Sequence, residues 1–519
     1  MRKTVILSIL LAAGLTAAAQ ESRPSDFERQ TLEDLFQPFA QTHNAAGMGL
    51  FQPSAGSRTE LGLHREAGDF HLAQQGESNL GFRFSTLRYD SFSDKLFMKG
   101  SFHYDLDREK DRKWSDVMDP WFSIPYIYGS SVAKDYSKHN CGLTFDLYTA
   151  PLWDKVSFGV RTQYRVADIS GLRDPRPRTG FLDWQVVPSV LLTFGSHHIG
   201  LDAGYGHAKE KLSNLTTIQS YPNLYYYKMS GLDRIDGAIS AYSGFKRQFV
   251  GGRFLGDLSY SYAEGAVSLL VSGGMEYGKL DAFADKKQSP GSYNNFKYNG
   301  LFDMTLRGAT LLHHWHLEGT LTDGGADEYL QELTSEKDPE TGATTETWVT
   351  LYTYKNRYML RQAEASLHYR LYGGFSGTDY RWSAGIRGGY AGFGKHCYLP
   401  ESRFDASGWS GSVEGSARLL ERGGHKVRLE AVAGGYLHRD TTLSLQEDNL
   451  YTQEVLVPDS VYYGKDYLDA SASLTWQFPL NLGKGGWANG YVRLDGGLQK
   501  ASGEGSLSRI SLAVGLFTF

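Results

Sequence analysis

A histidine-rich stretch near the middle of the chain has the residue types for proton or metal chemistry. It reads Leu311-Leu-His-His-Trp-His-Leu-Glu318, and at the two-residue period of a β-strand His314, His316 and Glu318 share one face. Alternate residues of a strand are about 6.5–7 Å apart, so two imidazoles and a carboxylate could bind a metal ion or pass a proton. The favoured interpretation is a water-facing surface that binds no metal, with Trp315 on the opposite face.

Charged residues at alternating positions of other segments indicate the same kind of water-facing surface. Arg381, Arg387, Arg428 and Arg493 fall on the polar side of their segments, with Glu430 among them. Because the two signs of charge are interspersed, we expect ion pairs that brace a filled interior rather than a pore that selects one sign. With the histidines, the predicted charge cluster comprises His314, His316, Glu318, Arg381, Arg387, Arg428, Glu430 and Arg493.

A polar loop predicted at 108–137 carries a group of aromatic and acidic residues. It contains Lys113-Trp-Ser-Asp-Val-Met-Asp-Pro-Trp-Phe122, followed closely by Ile124-Pro-Tyr126. Aromatic side chains on a fixed backbone are typical of binding surfaces. The loop is predicted either to pack on itself as a cover or to contact a ligand or partner. The candidate contact residues are Trp114, Asp116, Asp119, Trp121 and Tyr126.

Motifs that would indicate an enzyme or a nucleic-acid-binding protein are missing from the sequence. It contains no G-x-S-x-G, no H-E-x-x-H and no phosphate-binding loop, so no catalytic residue and no cofactor is predicted. A net charge of −5 gives no sign of a nucleic-acid partner. Two cysteines cannot form a disulfide framework, and two free thiols are expected.

Long stretches with strict two-residue alternation must position these side chains. Residues 253–263 are one example, and 266–278 and 427–438 repeat the pattern. Such segments run to about 11–15 residues, whereas strands of soluble proteins average about 5–6 and tilted membrane strands need about 9–11. One apolar and one polar face over that length predict an all-β fold, a single antiparallel transmembrane β-barrel.

The two ends of the chain agree with export to an outer membrane. Arg2 and Lys3 precede an apolar stretch that stops at the small-residue site Ala17-x-Ala19, so residues 1–19 are predicted to be a signal peptide. The chain ends on the aromatic Phe519. We expect a bulge near Gly515 in the last strand, because alternation otherwise separates the terminal phenylalanines from the aliphatic residues before them.

Short and long connections alternate along the chain. Short ones near 264–266 and 308–310 follow long polar ones such as 210–250 and precede others such as 323–355. In outer-membrane barrels the short set is periplasmic and the long set is extracellular. The segments add up to about 18 strands, with a range of about 14–18, in a barrel domain at 57–519.

Residues 20–56, the N-terminal segment, do not fit a strand. Leu32 and Leu35 lie at helical spacing, and Ser25 with Glu28 has the pattern of an N-terminal capping box. A barrel of this size encloses enough space to need filling. The segment is therefore predicted to be either a plug inside the barrel or an irregular periplasmic leader.

Three sequence elements resemble a family of outer-membrane β-barrels of unknown function found in Bacteroidota. They are the loop motif that begins at Lys113, the run Asp174-Pro-Arg-Pro177, and Asn44-Ala-Ala-Gly-Met48, in which Ala45 stands where the family has proline. The resemblance covers most of the mature chain. It implies a location in the cell outer membrane and no particular activity.

Together these patterns predict an outer-membrane barrel that takes part in solute passage or capture, as accessory to an energy-coupled uptake receptor. One alternative is a structural or assembly subunit without an open pore, and another is an outer-membrane enzyme. The predicted partners are outer-membrane lipid, the barrel-assembly machinery and such a receptor, with no nucleic acid.

Overall fold

The structure is a computed structural model, and part of the chain lies outside the residues it describes. The predicted signal peptide at 1–19 and the terminal Phe519 are among those left out. The described residues are 25–50, 56–121, 124–217, 226–239, 246–284, 287–337, 340–341, 343–482 and 486–518.

Eighteen antiparallel strands form one closed barrel. Each barrel strand pairs with the next one along the chain, and the first strand also pairs with the last, from Ser57 opposite Thr518 to Gly68 opposite Leu507. The predicted fold class and the strand number are therefore confirmed. The barrel strands are β1 (Gly56–Gly68), β2 (Ser78–Ser93), β3 (Leu96–Arg112), β5 (Lys134–Thr149), β6 (Val156–Gly171), β7 (Arg176–Phe194), β8 (His197–Thr216), β11 (Arg247–Glu264), β12 (Val267–Phe283), β13 (Gly291–Arg307), β14 (Leu311–Lys337), β15 (Thr344–Gly373), β16 (Trp382–Cys397), β17 (Ser402–Arg422), β18 (His425–Ser444), β19 (Tyr467–Asn481), β20 (Trp487–Ala501) and β21 (Ser506–Thr518).

The remaining elements are short and lie in the connections or before the barrel. Strands β4 (Tyr128–Gly129), β9 (Tyr226–Ser230) and β10 (Arg234–Ile239) form a small separate sheet. The helices are α1 (Phe27–Leu35) and α2 (Val457–Tyr463), with 3-10 turns at Pro38–Gln41 and Ala46–Leu50 and a π turn at Thr452–Leu456. Among the described helices, none is long and apolar enough to cross a membrane.

Alternation along the strands places apolar side chains outside and polar side chains inside. On β11 the outward Phe254 and Leu258 are 63% and 60% exposed, whereas the inward Asp257 between them is 5% exposed. The outward face meets lipid, where apolar groups cost nothing to expose and the backbone groups are already paired within the barrel. The inward face can carry charge only where partners fill the interior.

The two ends of the barrel differ in their connections. At one end, the short-turn end, strands are joined by connections as short as 195–196 and 423–424. At the other, the long-loop end, the connections include 113–133, 217–246 and 445–466. The expected alternation of short and long connections is present, and β1 begins and β21 ends at the short-turn end.

Two predicted loops contain regular structure. Residues 323–355 were expected to form a polar loop, but β14 and β15 continue through them as a hairpin that rises beyond the neighbouring strands, since β13 begins opposite Glu328 and β16 ends opposite Tyr358. The region 210–250 contains β9 and β10. The extension of β14 and β15 escaped prediction because it does not have one apolar and one polar face.

Candidate functional site

The N-terminal segment packs against the inner wall at the short-turn end. Helix α1 starts at Asp26, whose carboxylate accepts a hydrogen bond from the Arg29 N–H at 2.9 Å. The expected helix forms, but Asp26 caps it in place of the predicted Ser25. Leu32 and Leu35 face the wall in a cluster of buried residues that also contains Leu312, Tyr372 and Tyr380.

Glu28 joins α1 to the wall by buried ion pairs. Its side chain is fully buried, and its carboxylate accepts hydrogen bonds from Arg428 at 3.0 Å and from Gln477 at 3.2 Å. Lys426 binds the neighbouring Asp26 at 2.6 Å. Burial by itself would raise the pKa of Glu28, but Lys426 and Arg428 outweigh it and hold that pKa below its usual value. Glu28 is therefore an anionic anchor in a cationic pocket.

The element at 44–48 fits into a notch in the wall. Asn44, Ala45 and Ala46 are fully buried, and the Ala46 N–H donates to Ser189 Oγ at 3.0 Å. Gly159 on β6 makes the room, because a Cβ atom there would lie 2.3 Å from the Ala46 nitrogen. The sequence pattern indicated irregular chain, whereas the structure makes this element the most tightly enclosed part of the segment.

Two further contacts hold the segment on this side of the barrel. Arg161 is paired with Asp146 at 2.7 Å and also donates to the Thr42 carbonyl oxygen. His43 Nδ1 lies 2.8 Å from Asp257 on β11. Asp257 faces Asp202 across the β8–β11 ladder, and neither carboxylate oxygen of Asp202 has a hydrogen-bond partner among the described residues.

The aromatic contacts of α1 explain why Phe517, near the end of β21, faces the interior. Phe27 packs edge-on against Tyr491 at 4.6 Å and Phe517 at 5.1 Å between ring centroids. Phe517 is 1% exposed and faces inward, and β21 pairs through Gly515 without a shift in register. The expected bulge near Gly515 is therefore wrong, because Phe517 belongs to the interior and not to the lipid face.

At the long-loop end, three connections fold together into what we name the loop cap, comprising 113–133, 226–239 and 445–466 in their described parts. Trp114 is fully buried, donates from Nε1 to Glu454 at 2.8 Å and packs against Tyr227 and Tyr451 at 5.4 and 5.6 Å. The cap thus has its own aromatic core, which continues into the upper wall of the barrel.

Buried charges tie the loop cap to the wall. Asp116 is 1% exposed, lies 3.2 Å from Arg247 and accepts a hydrogen bond from Tyr226 at 2.6 Å. Burial raises the pKa of Asp116, and Arg247 only partly counters it. In α2, burial likewise raises the pKa of Asp459 to about 6, against the Ala73 N–H and Lys395, which favour its ionised form.

The predicted contact residues of the first long loop divide into two groups. Trp114, Asp116 and Tyr126 lie inside the loop cap, where Tyr126 donates to the Asp327 carbonyl at 2.6 Å. In this conformation these three residues form part of the packed interior of the cap. This corresponds to the predicted alternative in which the loop packs on itself as a cover. Asp119 is exposed, whereas Trp121 is half-buried and its indole nitrogen is buried, so of the five residues Asp119 is the one open to solvent.

A polar cavity of about 490 Å³ lies between the two closures, beside β1 and β18 to β21. Strand β19 runs from the long-loop end past the cavity to α1. Tyr467 lies near Phe70 of the long-loop end at 5.5 Å, Asp469 and Ser473 line the cavity, and Gln477 meets α1. The charged lining residues are His64, Arg65, Glu66, Glu430, Asp469, Asp495 and Arg509.

The predicted wall charges are mostly paired, as the interspersed signs indicated. Arg428 contacts Glu430 at 3.1 Å in addition to Glu28, and Arg493 contacts Asp495 at 3.3 Å. Arg387 faces the interior on β16 and is exposed there. The prediction that Arg381 lies on the wall is wrong, because this residue belongs to the connection before β16.

Two-residue alternation with the outward-facing Trp382 would place the neighbouring Tyr380 on the lipid face, but the structure buries it. It is 3% exposed and packs edge-on against Tyr372 at 4.9 Å between ring centroids. The alternation that was extrapolated back from β16 does not hold in a turn.

The histidine cluster contains a residue that the sequence pattern missed. His314 Nε2 and His316 Nδ1 lie 2.9 and 3.0 Å from the same oxygen of Asp303, which comes from β13. Glu318, the expected carboxylate, lies 3.6 Å from the other nitrogen of His316. The hairpin register pairs Asp303 with His316, and a turn of known type would have revealed that pairing.

The fold and this site define a transmembrane β-barrel whose interior is filled from both ends. The chain belongs to a family of unknown function (DUF6850), whose model matches residues 45–518. That match confirms the family character predicted from the three sequence elements and leaves the source organism open.

Similar solved structures include the ferric yersiniabactin uptake receptor FyuA from Yersinia pestis, at 9% identity and a TM-score of 0.35, over 90% of this chain and 80% of that one. The copper transporter OprC is similar at 9% identity and a TM-score of 0.38, over 89% and 80%. A monoaromatic hydrocarbon channel, CymD, has 9% identity and a TM-score of 0.31, over 98% and 96%. No curated protein matches the chain in sequence.

Proposed function

We propose that this protein lies in the cell outer membrane, with its short-turn end in the periplasm, and takes part in the passage or capture of a small polar solute. The observation that supports this function is the polar cavity on the inner wall, which lies along β19 between the level of the N-terminal segment and that of the long-loop end. A volume of about 490 Å³ lies within the range of small-molecule sites.

An energy-coupled uptake receptor is the partner that this arrangement fits best. A solute can cross only if both closures move, and each is held by buried ion pairs at Glu28 and Asp116. Opening would also expose the apolar side chains packed around these pairs, such as Leu32 in one closure and Trp114 in the other, so work from a partner would be needed for each opening. In this reading the barrel is an accessory that receives or hands over the solute.

The same closures also favour a second function, a structural or assembly subunit with no open pore. An enzyme has less support, because Asp303 is hydrogen-bonded to His314 and His316 but no described serine or cysteine is, so these residues include no nucleophile. We keep solute passage as the proposal because a purely structural barrel has no need of a polar cavity inside it.

Planar-bilayer conductance separates these functions. The full chain is expected to be silent. A first variant lacks residues 21–50, so that α1 and the element at 44–48 no longer fill the short-turn end and the loop cap is the closure that remains. A second variant combines the deletion with W114A, which removes the centre of the loop cap, and is expected to open in discrete steps because both closures are then disrupted.

The matched control is W114A alone in the otherwise intact chain, which should stay silent because the N-terminal segment is in place. All variants must keep heat-modifiable mobility on gels, which reports a folded barrel. Steps in the deletion variant or in the double variant support passage. Silence of a folded double variant would favour the structural subunit and overturn the proposal.

A further inference from the structure

Three side chains on the hairpin of β13 and β14 converge on one point of the inner wall. The ligand atoms of Asp303, His314 and His316 all lie within 4.8 Å of one another. Asp303 and His314 are 2% and 6% exposed, and the His316 side chain is 14% exposed. Strand alternation directs both histidines inward, and the register puts Asp303 directly opposite His316.

Two imidazole nitrogens and one carboxylate oxygen form a donor set typical of divalent transition metals. In a tetrahedral Zn²⁺ site with bonds of about 2.0–2.2 Å, neighbouring ligand atoms are about 3.3 Å apart. The two distances from Asp303 to the histidines, 2.9 and 3.0 Å, need to lengthen by a few tenths of an ångström to admit the ion, and the two imidazole nitrogens, which lie within 4.8 Å of each other, need to move closer together. Three protein ligands also leave a position open, as catalytic and transport sites require.

The surroundings of the triad support an ion at its centre. Glu318 lies 3.6 Å from His316 Nε2, so it can orient that ring through the nitrogen that faces away from Asp303. Carboxylates that orient a metal-binding imidazole in this way are common. Thr305, opposite His314 and 1% exposed, has a hydroxyl group without a described hydrogen-bond partner, although buried hydroxyl groups normally have one.

We infer that Asp303, His314 and His316 bind one divalent transition-metal cation, in the first instance Zn²⁺, on the inner wall of the barrel. Glu318 orients His316 for the ion, and the open position faces the interior. Because the ligands come from two adjacent strands, the ion also links β13 to β14 near the short-turn end. The site does not depend on whether the barrel conducts, so its test is independent of the proposed function.

The test is Zn²⁺ titration of the untagged, refolded barrel by calorimetry, with Co²⁺ absorption as a spectroscopic probe of the ligands. An untagged chain is needed because a polyhistidine tag would bind the same ions. One ion per chain is expected. H314A and H316A should each weaken binding at least about 100-fold, and E318Q about 10-fold, as typical of an orienting carboxylate.

H198A is the matched control, because His198 is also buried and inward-facing but lies on β8, away from the triad. It should bind Zn²⁺ like the unaltered chain. D303N and H316Q are added in case an alanine variant fails to fold, and gel mobility shows which variants are folded. Absence of Zn²⁺ binding by the unaltered chain, or equal binding by folded H314A and H316Q, would overturn the inference.

Discussion

Buried charges of the interior occur in sets that join separate elements. Glu28 of α1 is enclosed by Arg428 and Gln477, and Asp116 of the loop cap by Arg247 and Tyr226. A buried ion pair contributes little net stability compared with apolar packing, but removing one partner leaves the other charged and unpaired. These residues therefore specify where each closure docks more than they stabilise the barrel.

For single residues, we predict that E28Q weakens the docking of the N-terminal segment on the wall. The substitution leaves Lys426 and Arg428 without the carboxylate, and Arg428 keeps Glu430, so a loss of about 3 kcal/mol is expected, at the low end for a broken buried pair. Amide hydrogen exchange of residues 27–36 should then accelerate about 100-fold. E33Q is the control, since Glu33 pairs with Arg29 within the helix.

The pH dependence of the same measurement has a defined sign. The pKa of Glu28 in the docked state lies below its ordinary value of 4.5. The stabilisation that Glu28 gives to docking is therefore complete above pH 4.5 and is lost as the pH falls through the lowered pKa. Exchange of 27–36, corrected for its intrinsic pH dependence, should rise on acidification and should not do so in E28Q. Equal acid sensitivity in both chains would contradict the assignment.

The effect of Asp459 on stability has the opposite pH dependence, so this residue serves as an internal reference. Burial raises the pKa of Asp459 to about 6. Its buried negative charge therefore destabilises the loop cap above that pH, and protonation removes this destabilisation below it. Protection of α2 should therefore increase between pH 7 and pH 5, while that of α1 has not yet begun to fall.

Sequence patterns predicted the residue types of the interior better than their partners. Alternation alone identified Arg428 and Arg493 as inward-facing, because lipid excludes charge from the other face. Asp303 was missed because a pairing across a hairpin depends on the turn, and a shift of one residue changes every partner. Nothing in Asn44-Ala-Ala-Gly-Met48 indicates the notch at Gly159, which is more than a hundred residues away in sequence.

Among the elements, the hairpin of β14 and β15 stands apart from the wall. Its outer part, from Leu330 opposite Tyr352 to Lys337 opposite Thr344, has no neighbouring barrel strand beside it, and most of its residues are exposed on both faces. Its threonine and glutamate residues suit an exposed two-stranded ribbon but give no apolar stripe. That composition is why the sequence indicated a loop, although the region is regular.

We predict that this hairpin is accessible on intact cells. An epitope inserted between 340 and 341 should be labelled from outside, because the long-loop end faces the exterior in outer-membrane barrels. The same epitope placed in the turn at 423–424 is the matched control and should be labelled only after the membrane is opened. Labelling of the turn and not the hairpin on intact cells would reverse the proposed orientation.

For the whole molecule, closure of the ring is the event that determines stability. All barrel strands, including the first and the last, have hydrogen-bonded neighbours on both sides within the wall, so the described wall closes without a free edge, and the outer part of the β14–β15 hairpin is where strand edges stay unpaired. Barrel architecture was predictable because each strand repeats the same requirement for one apolar face. The filling of the interior was not, because it depends on contacts between segments hundreds of residues apart.

We predict that the mature chain is recovered with the outer-membrane fraction and migrates faster on gels before heating than after it. Deletion of β21, which forms the seam with β1, should abolish the fast form, since the ring can then no longer close. Deletion of 331–351 is the control and should leave the yield of the fast form unchanged. Recovery as a soluble periplasmic protein with one gel mobility would contradict the whole account.

Helix α1 lies across the seam where the ring closes. Phe27 packs on Tyr491 and Phe517 from the last two strands, and Arg58 from the first strand lies 4.9 Å from the centre of the same ring. The docking surface for the helix is therefore incomplete until β1 and β21 have met. Until β1 and β21 have paired, Phe27 lacks its contact with Arg58, so we expect the helix to dock completely only after the ring has closed.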